Sequence, residues 1–314
     1  MTMKAVLCMS YCLLRSIDDI PAFYSHLYHG RPPSTESLQE ASRRYRELGE
    51  PDPLGVVTLR QAKALERRLK LRFREDIPVY TAFKHTPPYI EDAVREITGR
   101  GVEHIYTLPL SPLYSRTGVK SYQQEVRKAR EACSASFQIT DIDRWHLHPG
   151  FTTALALRVQ EAMQWISHVN RARTVVIFTT HSMPGLPGPN RDYIRAFSEL
   201  AHAVAKLANC PHWKLGYRSG GSAPQTWLGP DLLDMMEQSV REGWSAVVVC
   251  DLLSITQNIE TLQDCRYDGQ AKAEQLGIEF VSTSFLNDSD DGMTALEEIV
   301  AGYISKKNLA EDYR

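Results

Sequence analysis

Thr174-Val175-Val176-Ile177-Phe178-Thr179-Thr180-His181-Ser182-Met183-Pro184 decides how the rest of the chain is read. A β-branched run of strand length passes straight into a histidine, a serine and the helix-breaking loop Ser182-Met183-Pro184-Gly185-Leu186-Pro187-Gly188-Pro189. That pattern predicts a buried strand that surfaces at His181, at its C-terminal end. In open α/β sheets this is the edge where ligands bind.

Beyond it, seven further strand-like runs recur with helical stretches between them: Lys4–Met9, Pro78–Phe83, His104–Leu110, Phe137–Ile142, Trp213–Arg218, Ser245–Asp251 and Ile278–Ser282. Strands alternating with helices predict parallel sheets built from right-handed βαβ units. The eight strands fall as four and four, so the expected fold is α/β with two Rossmann-like domains, each a four-stranded parallel sheet flanked by helices. The partition read from the sequence is residues 1–148, then 149–290, with 291–314 as a closing C-terminal helix. The first domain carries a long insertion, 10–77, with helical signals at Asp18–Leu27, Thr35–Leu48 and Thr58–Leu71. At the ligand edge such an insertion reads as a lid or wall. Its arginines, Arg31, Arg43, Arg44 and Arg46, are suited to carboxylates but equally to a solvated helix face.

Composition narrows the partners. The chain of 314 residues has a formal charge of −2, with 43% hydrophobic and 24% charged residues. It offers no basic field for nucleic acid. A small molecule or a metal is the default partner. The six cysteines are scattered with no Cys-x-x-Cys pair, which fits reduced thiols in the cytoplasm and gives no structural zinc motif. The apolar opening Ala5–Leu14 reads as a first strand rather than a signal peptide, and no run reaches the roughly 20 apolar residues of a membrane span. Neither Gly-x-Gly-x-x-Gly after the first strand, nor a P-loop, nor Gly-x-Ser-x-Gly occurs, so a nucleotide cofactor is not expected.

The segments just past the strands carry the chemistry. Ser10-Tyr11, Lys84-His85 and Ser111-Pro112-Leu113-Tyr114-Ser115 come after the first three strands; His181, Ser219-Gly220-Gly221-Ser222 and Leu252 to Glu260 come after the first three of the second half. Polar and aromatic groups of both halves are therefore expected to line one crevice. Glu260, Asp264 and Asp268 are four residues apart, so a helix there would stack three carboxylates on one face. An acidic solvent face is the common outcome of such spacing. Its start just past a strand end also suits a divalent cation shared with an imidazole. His85 has a position like that of His181 with weaker company, and the other histidines, His26 among them, belong to no evident constellation.

Together these residues resemble the ferrochelatase family, most closely its soluble Gram-positive form that inserts iron into coproporphyrin III. The resemblance runs along nearly the whole chain and rests on Val176–Pro184, Pro112-Leu113-Tyr114-Ser115, Lys84-His85 with Tyr89-Ile90-Glu91-Asp92-Ala93, Ser121-Tyr122, Trp227-Leu228-Gly229-Pro230-Asp231 and Ile259-Glu260-Thr261-Leu262. It implies a porphyrin, coproporphyrin III or protoporphyrin IX, held between the two domains. His181 and Glu260 would be the catalytic and inner metal-site pair, His181 also taking pyrrole protons, and Asp264 and Asp268 would mark an acidic path for Fe²⁺. Tyr11 would approach the metal from the other face. Arg31, Arg44, Tyr45, Lys84 and Tyr122 would bind the macrocycle or its propionates. No organic cofactor is implied, because the metal is itself a substrate. A cytoplasmic monomer is expected, in transient contact at most with neighbouring haem-pathway enzymes.

There are departures. The family's His-x-Glu is Asn258-Ile259-Glu260 here, its Gly-Thr-Pro after the first-strand tyrosine is Cys12-Leu13-Leu14, Tyr28 replaces a basic residue, and Asp52 stands where a serine meets a propionate. An aspartate there would repel the substrate. The competing expectations are a paralogue that binds porphyrin, haem or metal without efficient insertion, and a chelatase for another divalent metal. The absence of a greasy lip in the insertion and of a C-terminal cysteine cluster favours the coproporphyrin type.

Overall fold

The computed structural model describes residues 3–48, 52–133, 136–221 and 224–311. Ser222 and residues 49–51 of the insertion lie outside the described residues. All eight expected strands form: β1 (Lys4–Ser10), β2 (Val79–Phe83), β3 (His104–Pro109), β4 (Gln138–Asp141), β5 (Thr174–His181), β6 (Trp213–Arg218), β7 (Ala246–Asp251) and β8 (Glu279–Ser282). They make two four-stranded sheets, ordered β2-β1-β3-β4 and β6-β5-β7-β8, parallel throughout. β1 and β5 are central and buried almost along their length. Strands buried on both faces read as continuous apolar runs rather than alternating ones, which makes them legible in sequence.

The chain divides into two compact units, Met1–Leu110 with Arg116–Trp145 and Asn287–Arg314, and Ser111–Ser115 with His146–Leu286. The partition read from the sequence is redrawn in two places. The C-terminal helix α11 (Asp290–Glu311) groups with the first unit, and the short Ser111–Ser115 segment with the second.

In the first unit the insertion supplies α1 (Ile20–Leu27), α2 (Thr35–Leu48) and α3 (Pro53–Phe73), followed by α4 (Ile90–Gly99) and α5 (Val119–Ala132). The core joins Leu7 and Met9 of β1 to Val94 and Ile97 of α4 and Val126 of α5. The α11 segment is drawn to α3 by charge: Arg60 donates to Asp288 at 2.7 and 3.0 Å, Arg72 to Glu297 at 3.0 Å, and the Gln61 amide to the Asn287 carbonyl at 2.6 Å. At its other end α3 presses on the segment after β1. A Cβ built on Gly55 would lie 2.5 Å from Leu13 Cα.

The second unit has α6 (Pro149–Trp165), α7 (Arg191–Leu207), α8 (Leu232–Arg241), the single turn α9 (Ile259–Thr261), a π-helical stretch Leu262–Asp268, and α10 (Gly269–Leu276). Cys265 and Ala273 join Val247, Val249 and Met236 in its core. Gly269 lies so close to Phe280 of β8 that a Cβ would come within 2.6 Å of the ring. The buried face of this helix thus repeats small residues every fourth position, at Cys265, Gly269 and Ala273.

Gly55→Ala decides between two effects. A helical alanine is worth about 1 kcal/mol over glycine, but overpacking against a backbone atom costs about 1–3 kcal/mol. The clash should win. The variant is expected to lower the denaturant midpoint of the first unit, and a raised midpoint would show that α3 does not bear on Leu13.

Candidate metal-insertion site

The second unit assembles its site at the C-terminal edge of β6-β5-β7. β5 ends on His181, which is in register with Arg218 at the end of β6, while Asp251 ends β7 in register with Thr179. Three strand ends thus place an imidazole, a guanidinium and a carboxylate side by side. The edge is held rigidly: Ser182 N–H donates to the Arg218 carbonyl at 2.7 Å and its buried hydroxyl to the Leu228 carbonyl at 2.7 Å. The Tyr193 hydroxyl donates to the His181 carbonyl at 2.9 Å. Gly220 passes against Ser182, and Gly221 against the Trp227 ring, where a Cβ would meet Cζ2 at 2.5 Å. The glycine pair is there for packing.

His181 Nδ1 donates to the Ser182 carbonyl, leaving Nε2 directed at Glu260, 3.4 Å from Oε1. A ring whose Nδ1–H is committed to a carbonyl has Nε2 as its proton-accepting atom. Burial acts to lower the His181 pKa, but the hydrogen bond and charge of Glu260 outweigh it and raise the imidazole above its usual range, against a smaller push from Arg218. Burial would raise the Glu260 carboxyl; His181 and Arg218 overcome it and hold Glu260 down to about 2. The resting pair is therefore imidazolium and carboxylate over a wide range below the His181 pKa.

Glu260 sits on α9, whose start is fixed by Asn258. The Asn258 side-chain oxygen accepts from Thr261 N–H at 2.9 Å while Thr261 Oγ1 accepts from Asn258 N–H at 3.0 Å. This reciprocal cap explains an asparagine at the His-x-Glu position: it is a helix N-cap.

The expected carboxylate stripe divides. Glu260 and Asp264 turn toward Arg218, whose Nη1 is 3.3 Å from Glu260 Oε2 and 3.6 Å from Asp264 Oδ2. Asp264 also accepts from Ser219 Oγ. Asp268 accepts instead from the Gln263 amide at 2.6 Å. Burial raises the Asp264 pKa; Arg218 and Ser219 oppose this, and the charges of Glu260 and Asp268 add to it. Among the described residues no three His, Cys, Asp or Glu side chains converge as a metal-holding group. The group that meets the carboxylates is Arg218.

Arg218 carries no signal in the sequence that marks it as functional. It is 2% exposed, and its Nε donates to Asp251 at 2.7 Å, its Nη2 to Ser254 at 3.2 Å and its Nη1 to Ser219 at 3.2 Å as well as Glu260. Asp251 is satisfied in turn by Leu253 and Ser254 N–H at 3.1 and 2.6 Å. The legible signal is Asp251 itself: a carboxylate closing the apolar run Ala246-Val247-Val248-Val249-Cys250 needs a buried cation.

The first unit gathers a second set after β1 and β2. Tyr11, 40% exposed, packs edge-on against Phe23 and His85, with centroids 5.9 and 4.7 Å apart. Lys84 Nζ donates to Ser121 Oγ at 2.7 Å and lies 5.5 Å above the Tyr122 ring. Burial lowers the Lys84 pKa. His85, buried beside Lys84, His26 and His29, is pushed down to about 3 and so is neutral. His26 has a partner after all: its Nδ1 is 3.1 Å from His85 Nδ1 and its ring stacks on Tyr89 at 4.9 Å.

One expectation on the insertion is corrected. Asp52 does not face outward. It is buried, caps α3 by accepting from Leu54 N–H at 3.0 Å, and accepts from the Tyr45 hydroxyl at 3.4 Å. Tyr45, on α2, is buried with it. Arg31 precedes α2 and is exposed; Arg44 lies on α2, half-buried, with Glu40 3.9 Å away. Arg43, between Glu40 and Glu47, is a solvated helix arginine.

With this geometry in view, a sequence profile described as ferrochelatase matches residues 12–303. The chain belongs to the ferrochelatase family. The members of that family are lyases that put a metal ion into a porphyrin, with Fe²⁺ as the metal substrate. The chain is 30% identical to a ferrochelatase of Herpetosiphon aurantiacus over 95% of its own length and 98% of the relative's. It is 29% identical to coproporphyrin III ferrochelatase 2 of Bacillus cereus, covering 94% and 93% of the two chains. It is 30% identical to the coproporphyrin III ferrochelatase of a Geobacillus species, covering 94% and 96%. The two-domain chelatase architecture is shared with SirB from Bacillus subtilis, solved with Fe³⁺, at a TM-score of 0.58 and 13% identity over 96% of this chain and 95% of that one. CbiX, described as the terminal enzyme for biosynthesis of siroheme in denitrifying bacteria, has a TM-score of 0.52 at 14% identity, over 95% and 98%. Among the described residues no helix is long and apolar enough to cross a membrane.

Glu260 sets the protonation of His181, so removing its charge has a defined sign. In Glu260→Gln, burial and Arg218 remain and both lower the imidazole pKa. A histidine NMR titration should find His181 above its ordinary value of about 6.5 in the wild type and below it in the variant. An unchanged titration would mean the two side chains are not coupled.

Proposed function

We propose that this ferrochelatase inserts Fe²⁺ into coproporphyrin III in the cytoplasm, with His181 and Glu260 as its catalytic pair. The observation that carries the reading is the His181 ring itself, anchored through Nδ1 and aimed through Nε2 at Glu260. The relatives named coproporphyrin III ferrochelatase support the choice of porphyrin.

Insertion exchanges two pyrrole N–H bonds for bonds to the metal, so two protons must leave as Fe²⁺ enters. In this reading His181 Nε2 accepts the two pyrrole protons in turn, releasing the first to solvent before it takes the second, and Glu260 stabilises the imidazolium formed each time. A base must be unprotonated to act. Because Glu260 raises the His181 pKa, activity should climb as pH rises through that pKa and level off above it. Glu260 also draws the hydrated metal ion and helps strip its water.

In the first unit, taken by itself, Tyr11 on its Phe23–His85 support is the group proposed to approach the metal from the face away from His181. Lys84, held by Ser121 and Tyr122, meets a propionate, and Arg31 and Arg44 offer further guanidinium groups to the carboxylates of a four-propionate substrate. His85 stays neutral, so the support beneath Tyr11 adds no charge.

Anaerobic turnover of coproporphyrin III with Fe²⁺ tests this directly. His181→Ala should lower kcat by about 10²-fold or more, the usual scale of a lost general base, with porphyrin affinity changed little. Wild-type turnover that matches the variant's would overturn the assignment. Asp52→Ser, which keeps a cap, should leave coproporphyrin affinity unchanged, because the buried Asp52 carboxylate faces Tyr45 and not a propionate.

A further inference from the structure

We propose that Arg218 is a resident counter-cation of the metal-handling carboxylates, a positioning residue that keeps Glu260 and Asp264 from retaining a divalent ion in the absence of porphyrin. The inference rests on the reading of Glu260 and Asp264 as residues that handle the metal substrate.

The site already holds a positive charge at its centre. Arg218 comes from β6, two strands away from the β7 carboxylate it pairs with, and crosses the end of β5 that carries His181. Its guanidinium is buried, so its charge is poorly screened by solvent. Every face of it is committed: Asp251 on Nε, Ser254 on Nη2, Ser219 and Glu260 on Nη1, with Asp264 at 3.6 Å. A side chain held by so many partners does not swing away to admit another cation.

A divalent ion bound between Glu260 and Asp264 would have to sit beside that fixed charge. Glu260 Oε2 and Asp264 Oδ2 already lie against it, and a second cation at contact distance from a buried, poorly screened guanidinium is repelled. Arg218 differs from a metal in one useful respect: it is tethered to the chain and never leaves. It keeps the carboxylates oriented without letting them become a tight metal trap. A chelatase benefits from such weakness, because an ion bound too firmly to the protein is not handed to the macrocycle.

Asp251 has a separate duty. It accepts from Arg218 and from two backbone N–H groups, which fixes the guanidinium in place and leaves Glu260 able to serve His181. Removing Arg218 alone would strand Asp251 as a buried charge, so the informative variant changes both.

The test uses the full chain without porphyrin and Co²⁺ or Zn²⁺ as probes in equilibrium dialysis. Arg218→Gln with Asp251→Asn is expected to bind the ion at least tenfold more tightly than the wild type, about 1.4 kcal/mol. Adding Glu260→Gln or Asp264→Asn should abolish the gain, and Arg218→Lys, which keeps the charge, should stay close to the wild type. With Fe²⁺ turnover as a second readout, the double variant should show a lower KM for the metal together with a lower kcat. Should the polar pair fail to fold, Arg218→Met with Asp251→Leu reads the same affinity, since apolar replacement of a buried ion pair is often neutral. Unchanged ion affinity in a folded double variant overturns the proposal, as does a gain that survives loss of both carboxylates. Wild-type protein that turns over Fe²⁺ and coproporphyrin while the double variant gains no affinity sinks this inference alone. A gain in affinity with no wild-type turnover upholds it and sinks the proposed substrate instead.

Discussion

The arrangement of the second unit's site depends on burying one guanidinium among carboxylates. Removing a charge of that size from water has an effective cost of several kcal/mol, offset only by good geometry and by hydrogen bonds to the remaining donors. Arg218 has both, through Asp251, Glu260, Ser219 and Ser254. This requirement explains features that otherwise look unrelated. A strand of valines ends on an aspartate; a serine rather than an apolar residue stands two positions after Leu252; and the glycine-rich turn begins with Ser219. Each supplies an acceptor to the same cation.

His181 inherits its chemistry from that arrangement. Its neighbours push in opposite directions, Glu260 upward and burial with Arg218 downward, so its proton affinity is a balance of large opposed effects. A histidine in a merely apolar pocket would be neutral and a weaker base, and one beside an unopposed carboxylate would hold its proton too well. The first unit takes another course with His85, which burial and three neighbouring cationic or imidazole groups keep neutral. One unit thus carries a histidine disposed to accept a proton and the other a histidine that stays uncharged.

Much of the architecture can be read from the sequence because parallel strands buried on both faces announce themselves. Thr174–Thr180, Ser245–Asp251 and Lys4–Met9 are near-continuous apolar runs, and the structure moves their ends by only a residue. His181 is legible for the same reason, as the first polar ring after such a run. Arg218 is not, since a single arginine after Trp213–Tyr217 is indistinguishable from a surface charge until the register sets it against His181. The His26–His85 contact joins residues 59 positions apart and leaves no periodic trace. Asp52 and Asn258 mislead for a common reason. Both stand where the family pattern places ligand-facing groups, yet Asp, Asn and Ser are also the residues that begin helices, and here capping is what they do.

The carboxylate stripe shows how spacing and geometry part company. In an α-helix residues four apart advance by about 40° beyond a full turn, so Glu260, Asp264 and Asp268 would drift steadily around the axis. Between Leu262 and Asp268 the winding widens to the π form, in which residues four apart fall short of a turn. The change lets Cys265, Gly269 and Ala273 remain against the sheet, where Gly269 alone fits beside Phe280. It also brings Glu260 and Asp264 to the same Arg218 nitrogen, Nη1, while Asp268 falls to Gln263. The four-residue interval is plain in the sequence, but nothing in it announces that the helix widens between Leu262 and Asp268. That winding decides which two acids share the arginine.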